Sequence, residues 1–206
     1  AAVEDVLAFA AQLGGPVHLV GHDWGAVVAH LAAVRSPELF RSCSMLAIAP
    51  VKRLPAALLK VPEQLLRSGY MGFFQLPLVP EWLLRRNGLA GVKWLWRRWS
   101  PGWDPADHLD EAYRTLAQPG VLTAALGWYR HLPRVWTGSN RQARSWLASP
   151  ARVPTMVLLG MQDGCMSHRL IDDNINLKDF PAGLRVEKIA GVGHFLHLEK
   201  PERIND

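Results

Sequence analysis

Apolar residues along this chain fall into two kinds of run, and their order outlines the fold. Residues 3–10 read as a helix, 16–20 as a short buried strand, and 26–33 as a helix that enters directly after that strand. Strand-like apolar runs return at 44–48, 156–160 and 184–189, and Pro201-Glu202-Arg203 looks like the start of another helix. Strands alternating with helices predict an α/β fold with a mostly parallel sheet flanked by helices. Between the runs at 44–48 and 156–160 lies a segment of about a hundred residues, far more than a simple connection needs. The expected layout is therefore a first part of the core at 1–50, an inserted helical cap at 51–149 and a second part of the core at 150–206. The boundaries fall near Pro50 and Pro150, and no internal repeat or low-complexity linker interrupts them.

The junction between the first strand and its helix is Gly21-His22-Asp23-Trp24-Gly25. Glycines at both ends allow a sharp turn and a close approach of strand to helix, which leaves the Asp23 side chain projecting. Strand, turn and helix form the setting of a nucleophile elbow, with an acid where a serine hydrolase carries serine. The pattern is short, and Asp23 also reads as an ordinary helix N-cap. Later residues favour the first reading. Asp163 follows the strand 156–160, and His194 lies in the glycine-rich loop after the strand 184–189. Nucleophile, acid, histidine is the chain order of a triad on such a scaffold, and reacting groups gather at the carboxyl ends of parallel strands. Asp172 and Asp173 are alternative acids, but they fall in a helix-like stretch beyond the turn, so Asp163 is preferred.

Residues 21–25, 160–163 and 193–194 together resemble the α/β-hydrolase superfamily, in its epoxide hydrolase and haloalkane dehalogenase branch, over nearly the whole chain. Within the expected cap, Tyr70-Met71-Gly72-Phe73-Phe74 and Leu126-Gly127-Trp128-Tyr129 resemble the segments that carry the ring-opening tyrosines of epoxide hydrolases. Two of the three tyrosines, Tyr70 and Tyr129, fall on those positions, and Tyr113 receives no role. The resemblance implies attack by Asp23 on an epoxide carbon while both phenols stabilise the leaving oxygen. Water activated by His194, which Asp163 orients, then hydrolyses the alkyl ester to a vicinal diol. The Trp24 backbone N–H implies one oxyanion donor, and a loop preceding the nucleophile implies the other. The family carries that loop upstream of residue 1, so the N-terminal strands of the fold, about four sheet strands in all, and the rest of a final helix are expected outside this sequence. Phe74 and Trp128, and more loosely Phe73, Leu76 and Met166, are candidates for substrate contact. A dehalogenase with the same nucleophile and a non-catalytic hydrolase-fold fragment stay open as alternatives.

Composition fits a globular enzyme without naming its chemistry: 206 residues, 49% hydrophobic and 20% charged. A net charge of +5 and the interleaved Lys93-Trp94-Leu95-Trp96-Arg97-Arg98-Trp99 invite a nucleic-acid or membrane reading. A solvated basic face over packed Trp82, Trp94 and Trp96 is the simpler account, so neither nucleic acid nor stable membrane insertion is expected. Partners reduce to a small epoxide and water, with homo-oligomer formation left open. His18, His30, His108, His131 and His168 show no metal-ligand spacing, so no metal and no organic cofactor is expected. His22 and His197 read as supporting residues. Asp104, Asp107 and Asp110 read as helix caps or solvated groups. Cys43 and Cys165 read as reduced thiols, which points to the cytoplasm.

Overall fold

The computed structural model describes all residues except 51, 53, 135, 136 and 206. The side chains of residues 54–56, 107, 139, 173 and 174 also fall outside the description, including those of Asp107 and Asp173.

Four parallel strands form one sheet in sequential order: β1 (Val17–His22), β2 (Phe40–Leu46), β3 (Thr155–Gly160) and β4 (Leu184–Ile189). Parallel neighbours require crossovers, and helix α2 (Trp24–Arg35) supplies the one from β1 to β2. Its buried face is built largely from small side chains, Ala26, Ala29, Ala32 and Ala33, which let the helix lie close on β1 and β2. Helix α1 (Ala2–Ala11) packs against α2 through Val3, Leu7 and Ala10. The sheet's other face buries Leu46, Leu158, Ile189, Val192 and Leu196. Within the described residues, strand β1 pairs on one side only, with β2. It stands at the sheet edge, and Val20 is 64% exposed.

Everything described between β2 and β3 is helix or connection: α3 (Leu54–Lys60), α4 (Glu63–Arg67), α5 (Gly69–Phe73), α6 (Val79–Trp99), α7 (Ala106–Leu116), α8 (Val121–His131) and α9 (Gly138–Ala148). This segment has its own apolar centre, where Phe74, Leu84, Leu89, Val92, Leu95, Leu122 and Leu126 pack with Tyr70, Trp96, Trp99 and Tyr129. Helix α6 is broken at Arg86–Leu89, where Asn87, Gly88 and Leu89 adopt left-handed backbone. Asn and Gly tolerate that region, so the sequence allows the break there.

Trp82 and Trp94 depart from the expected inward packing, at 60% and 61% exposed, with the guanidinium of Arg86 over Trp82 and that of Arg98 over Trp94. Each indole keeps a cation on its face while remaining in water. Trp96 does pack inward, against Phe195 and Trp103. After β3 come α10 (Leu170–Asn174), α11 (Leu196–Glu199) and α12 (Pro201–Ile204). No helix among the described residues is long and apolar enough to cross a membrane.

Candidate active site

The elbow after β1 stores backbone strain. Asp23 sits at φ 52° and ψ −121°, a region costly for a residue with a Cβ. Its N–H donates to the Leu46 carbonyl at 3.1 Å, and its own carbonyl accepts from Ala26 and Val27. The side chain makes no capping bond to α2, so the ordinary N-cap reading of this aspartate does not describe it. The two glycines are not equivalent. A Cβ on Gly21 would lie 2.3 Å from the Gly25 carbonyl oxygen, whereas a Cβ on Gly25 would meet nothing within 4 Å. Only the first is required by the close approach of strand to helix.

Three loops at the carboxyl ends of β1, β3 and β4 converge on Asp23. His194 donates from Nδ1 to Asp163 Oδ2 at 2.8 Å, which turns Nε2 toward Asp23 Oδ1 at 3.4 Å. Asp163 Oδ1 is held by the backbone N–H groups of Cys165 at 2.6 Å and Met166 at 2.8 Å. Asp172, the alternative acid, instead pairs with Lys188 at 2.6 Å. The two loops can meet because Gly160 lacks a side chain: a Cβ there would lie 2.1 Å from the Gly193 carbonyl oxygen, whereas a Cβ on Gly193 would lie 2.5 Å from the Ser100 Cα.

The electrostatics follow from this packing. Burial disfavours a charged His194, but the facing Asp163 and Asp23 carboxylates outweigh it and raise the imidazole well above 6.5. Burial likewise disfavours the Asp23 carboxylate. Its hydrogen bond and charge interaction with His194, with the Trp24 N–H adding to them, hold the group below 3.8. His22 donates from Nε2 to the His194 carbonyl at 3.0 Å; burial and the neighbouring His194 lower it to about 4, so it supports the loop as a neutral ring.

Tyr70 and Tyr129 come from α5 and α8 and meet edge to face with ring centroids 5.6 Å apart. Burial raises both phenols, and the nearby Asp23 carboxylate adds to the effect, so both stay protonated donors. The Trp24 ring meets the Tyr129 ring edge to face, with centroids 5.5 Å apart. Phe74 is buried against both tyrosine rings, at 5.4 Å and 5.0 Å. Trp128 is 42% exposed and stacks on Trp24 at 5.6 Å. Leu76 is 46% exposed. Phe73 packs at the margin of the helical segment's centre, and Met166 lies against the main core.

A family model described as "Alpha/beta hydrolase family" matches residues 1–206. The chain belongs to the alpha/beta hydrolase family. It is 31% identical over 189 residues to the AB hydrolase superfamily protein YfhM of Bacillus subtilis, covering 91% of this chain and 62% of that protein. It is 25% identical over 194 residues to human epoxide hydrolase 4, covering 91% of this chain and 51% of that protein. Among solved structures, an epoxide hydrolase of Bacillus megaterium with an inhibitor superposes with a TM-score of 0.76 at 24% identity, covering 98% of this chain and 72% of that one. That likeness is one of fold. Epoxide hydrolase VrEH1 of Vigna radiata gives a TM-score of 0.76 at 25% identity, covering 98% and 70%. The chain thus spans about half to three fifths of the curated relatives it matches.

This alpha/beta hydrolase domain also holds residues that sequence reasoning missed. Gln64 of α4 is buried, donates to the Cys165 carbonyl at 2.8 Å and accepts from the Ser167 N–H at 2.7 Å, and Arg67 donates to the Asp163 carbonyl. Ser100, after α6, is fully buried. Its hydroxyl donates to Glu199 at 2.7 Å and accepts from the Phe195 N–H at 3.1 Å, while Glu199 also accepts from the Gly193 N–H at 2.8 Å. The His194 N–H donates to the Trp99 carbonyl at 3.1 Å. The helical segment is thereby fastened to both the acid loop and the histidine loop. Glu199, five positions after His194, had a local sequence signal; Gln64 and Ser100 had none. Cys165 is buried and free, with Sγ 3.3 Å from the Tyr70 hydroxyl in a hydrogen bond. The ligand atoms of Asp23, Cys165 and His194 all lie within 4.8 Å of one another.

Proposed function

We propose that the chain carries the catalytic centre of an epoxide hydrolase, with residues 51–149 as a helical cap over the core segments 1–50 and 150–206. The observation that carries this reading is the convergence of two protonated phenols, Tyr70 and Tyr129, beside the ionised carboxylate of Asp23. An epoxide carbon needs a nucleophile on one side and hydrogen-bond donors on its oxygen, because an alkoxide is a poor leaving group until its charge is stabilised. Similarity to proteins named epoxide hydrolases supports the same assignment.

The reaction then has two steps. An Asp23 oxygen bonds to the epoxide carbon as the C–O bond breaks, and Tyr70 and Tyr129 hydrogen-bond the departing oxygen, which takes its proton from one of the phenols; a water proton later restores that phenol. His194 in its neutral form next removes a proton from water that adds to the ester carbonyl. Asp163 holds the ring in the productive tautomer and stabilises the imidazolium. The Trp24 backbone N–H serves the oxyanion, and the tetrahedral intermediate collapses to diol and free Asp23. Phe74 and Trp128 bound the substrate from the cap. No step calls for a metal or an organic cofactor. A dehalogenase would need donors for a halide and would have no use for two phenols meeting at the site, which favours the epoxide reading. The buried free thiols Cys43 and Cys165 fit a reducing compartment, and we assign the cytoplasm on that ground.

The test is to trap the ester. A His194→Gln variant is incubated with a panel of epoxides, and the intact protein and its peptides are weighed by mass spectrometry. Substrate mass on the peptide containing Asp23 is the expected result. An adduct from haloalkanes and none from epoxides would replace this reading by dehalogenation.

A further inference from the structure

We propose that Asp23, Cys165 and His194 form a binding site for a thiophilic divalent cation such as Zn2+, and that occupation of this site switches the centre off. The cation site rests on the arrangement of the three side chains alone; that its occupation switches the centre off rests on the proposed reaction.

The donor set is one oxygen, one nitrogen and one sulfur, all within 4.8 Å of one another. Zn2+ bonds of about 2.0–2.3 Å in a tetrahedral shell place ligand atoms roughly 3.3–3.6 Å apart. His194 Nε2 and Asp23 Oδ1, at 3.4 Å, already stand at that spacing. Cys165 Sγ has at most about 1.3 Å to close toward either atom, within reach of a small side-chain rotation that releases its hydrogen bond to Tyr70. The three ligands come from three different loops, each fixed by backbone hydrogen bonds, so the site is formed by the fold before any ion arrives.

The outer shell also fits. Metal-ligating histidines donate their second ring N–H to a carboxylate or carbonyl, which fixes the tautomer and aims the other lone pair at the metal. His194 does this through Nδ1 to Asp163 at 2.8 Å, leaving Nε2 facing Asp23. A thiolate, an imidazole and one carboxylate select Zn2+, Co2+ or Cd2+ over Mg2+ and Ca2+, which prefer oxygen-only shells. On binding, the Cys165 thiol gives its proton to solvent as the sulfur–metal bond forms, and His194 releases any proton on Nε2 to solvent and binds through that lone pair, keeping the Nδ1 proton toward Asp163. A fourth position remains beside the phenols for water. The cation thereby takes both the carboxylate and the lone pair that the two chemical steps require.

Spectroscopy tests this directly. The purified protein is titrated with Co2+ as a coloured substitute, and Zn2+ binding is followed by calorimetry. One Co2+ per chain is expected, with a near-ultraviolet thiolate-to-cobalt charge-transfer band that Zn2+ displaces and Mg2+ does not. Cys165→Ser should abolish the band and weaken Zn2+ binding by at least about tenfold, the loss that even an outer partner of a metal ligand produces. Asp23→Asn should weaken Zn2+ binding by a similar factor and carries the test if Cys165→Ser fails to fold. Absence of the band at millimolar Co2+, or Zn2+ affinity unchanged in either variant, overturns the proposal. These readouts are independent of turnover. A protein that binds Zn2+ through Cys165 yet forms no epoxide adduct would sink the reaction and keep the cation site; the reverse pattern would do the opposite.

Discussion

Removing the Ser100 hydroxyl tests whether the helical segment positions the histidine. Ser100 is fully buried, and its oxygen accepts from the Phe195 N–H and donates to Glu199. Ser100→Ala leaves the buried Phe195 N–H unsatisfied, at roughly 1–3 kcal/mol, while the half-buried Glu199 carboxylate adds little. For a chain of this size each kcal/mol lowers Tm by about 2–4 °C, so a fall of roughly 2–12 °C is expected by calorimetry. The affected backbone flanks His194 on both sides, because Glu199 holds Gly193 and Ser100 holds Phe195. Misplacing a catalytic group by about 1 Å costs on the order of a hundredfold, and in the proposed reaction His194 serves the second chemical step rather than the first. Rapid-quench mass spectrometry should therefore find the Asp23 ester accumulating during turnover, with ring opening little changed. Glu199→Gln should behave alike, since Ser100 and Gly193 donate to different carboxylate oxygens and the amide replaces one of those acceptors by an NH2 donor. An unchanged Tm together with an unchanged steady-state fraction of ester would refute the reasoning.

Three further outcomes follow from the packing and the charges. Gly21→Ala drives a Cβ to 2.3 Å from the Gly25 carbonyl and should abolish ester formation, whereas Gly25→Ala meets no atom within 4 Å and should fold with near-native Tm; equal damage from both would contradict the elbow geometry. Because His194 titrates well above 6.5 and Asp23 below 3.8, ester hydrolysis should decline as pH falls through the raised imidazole value while ester formation holds, measured by single-turnover rates; an acid limb near 4 in both steps would refute this. Burial lowers His30 to about 4, so between 6.5 and about 4 the unfolded chain binds a proton that the folded chain refuses. The stability this residue contributes is complete above 6.5 and lost as pH falls toward 4, about 3 kcal/mol in all. Denaturant melts of His30→Leu should show a correspondingly shallower slope across that window.

The order of strands and helices was legible in the chain because apolar periodicity and glycine placement act locally. The strand at 184–189 and the helix leading from the elbow stand where the pattern puts them. Asp23, Asp163 and His194 were legible for a related reason: each lies just past a strand's carboxyl end, and a parallel sheet brings those ends to one edge. Exposure was less legible. Trp82 and Trp94 read as core, yet stacked arginines let their faces remain in water.

What the sequence determined by itself is the alternation of strand and helix, the tight turn at Gly21 and the placement of Asp23, Asp163 and His194 past strand ends, since backbone sterics and periodicity depend on neighbours along the chain. Only the tertiary structure decided that Ser100 and Glu199 hold the histidine loop, that Gln64 braces the acid loop, and that Cys165 lies among Asp23, His194 and Tyr70. Those contacts join residues up to 142 positions apart, from Asp23 to Cys165, and no local pattern encodes which buried polar atoms meet once the loops converge.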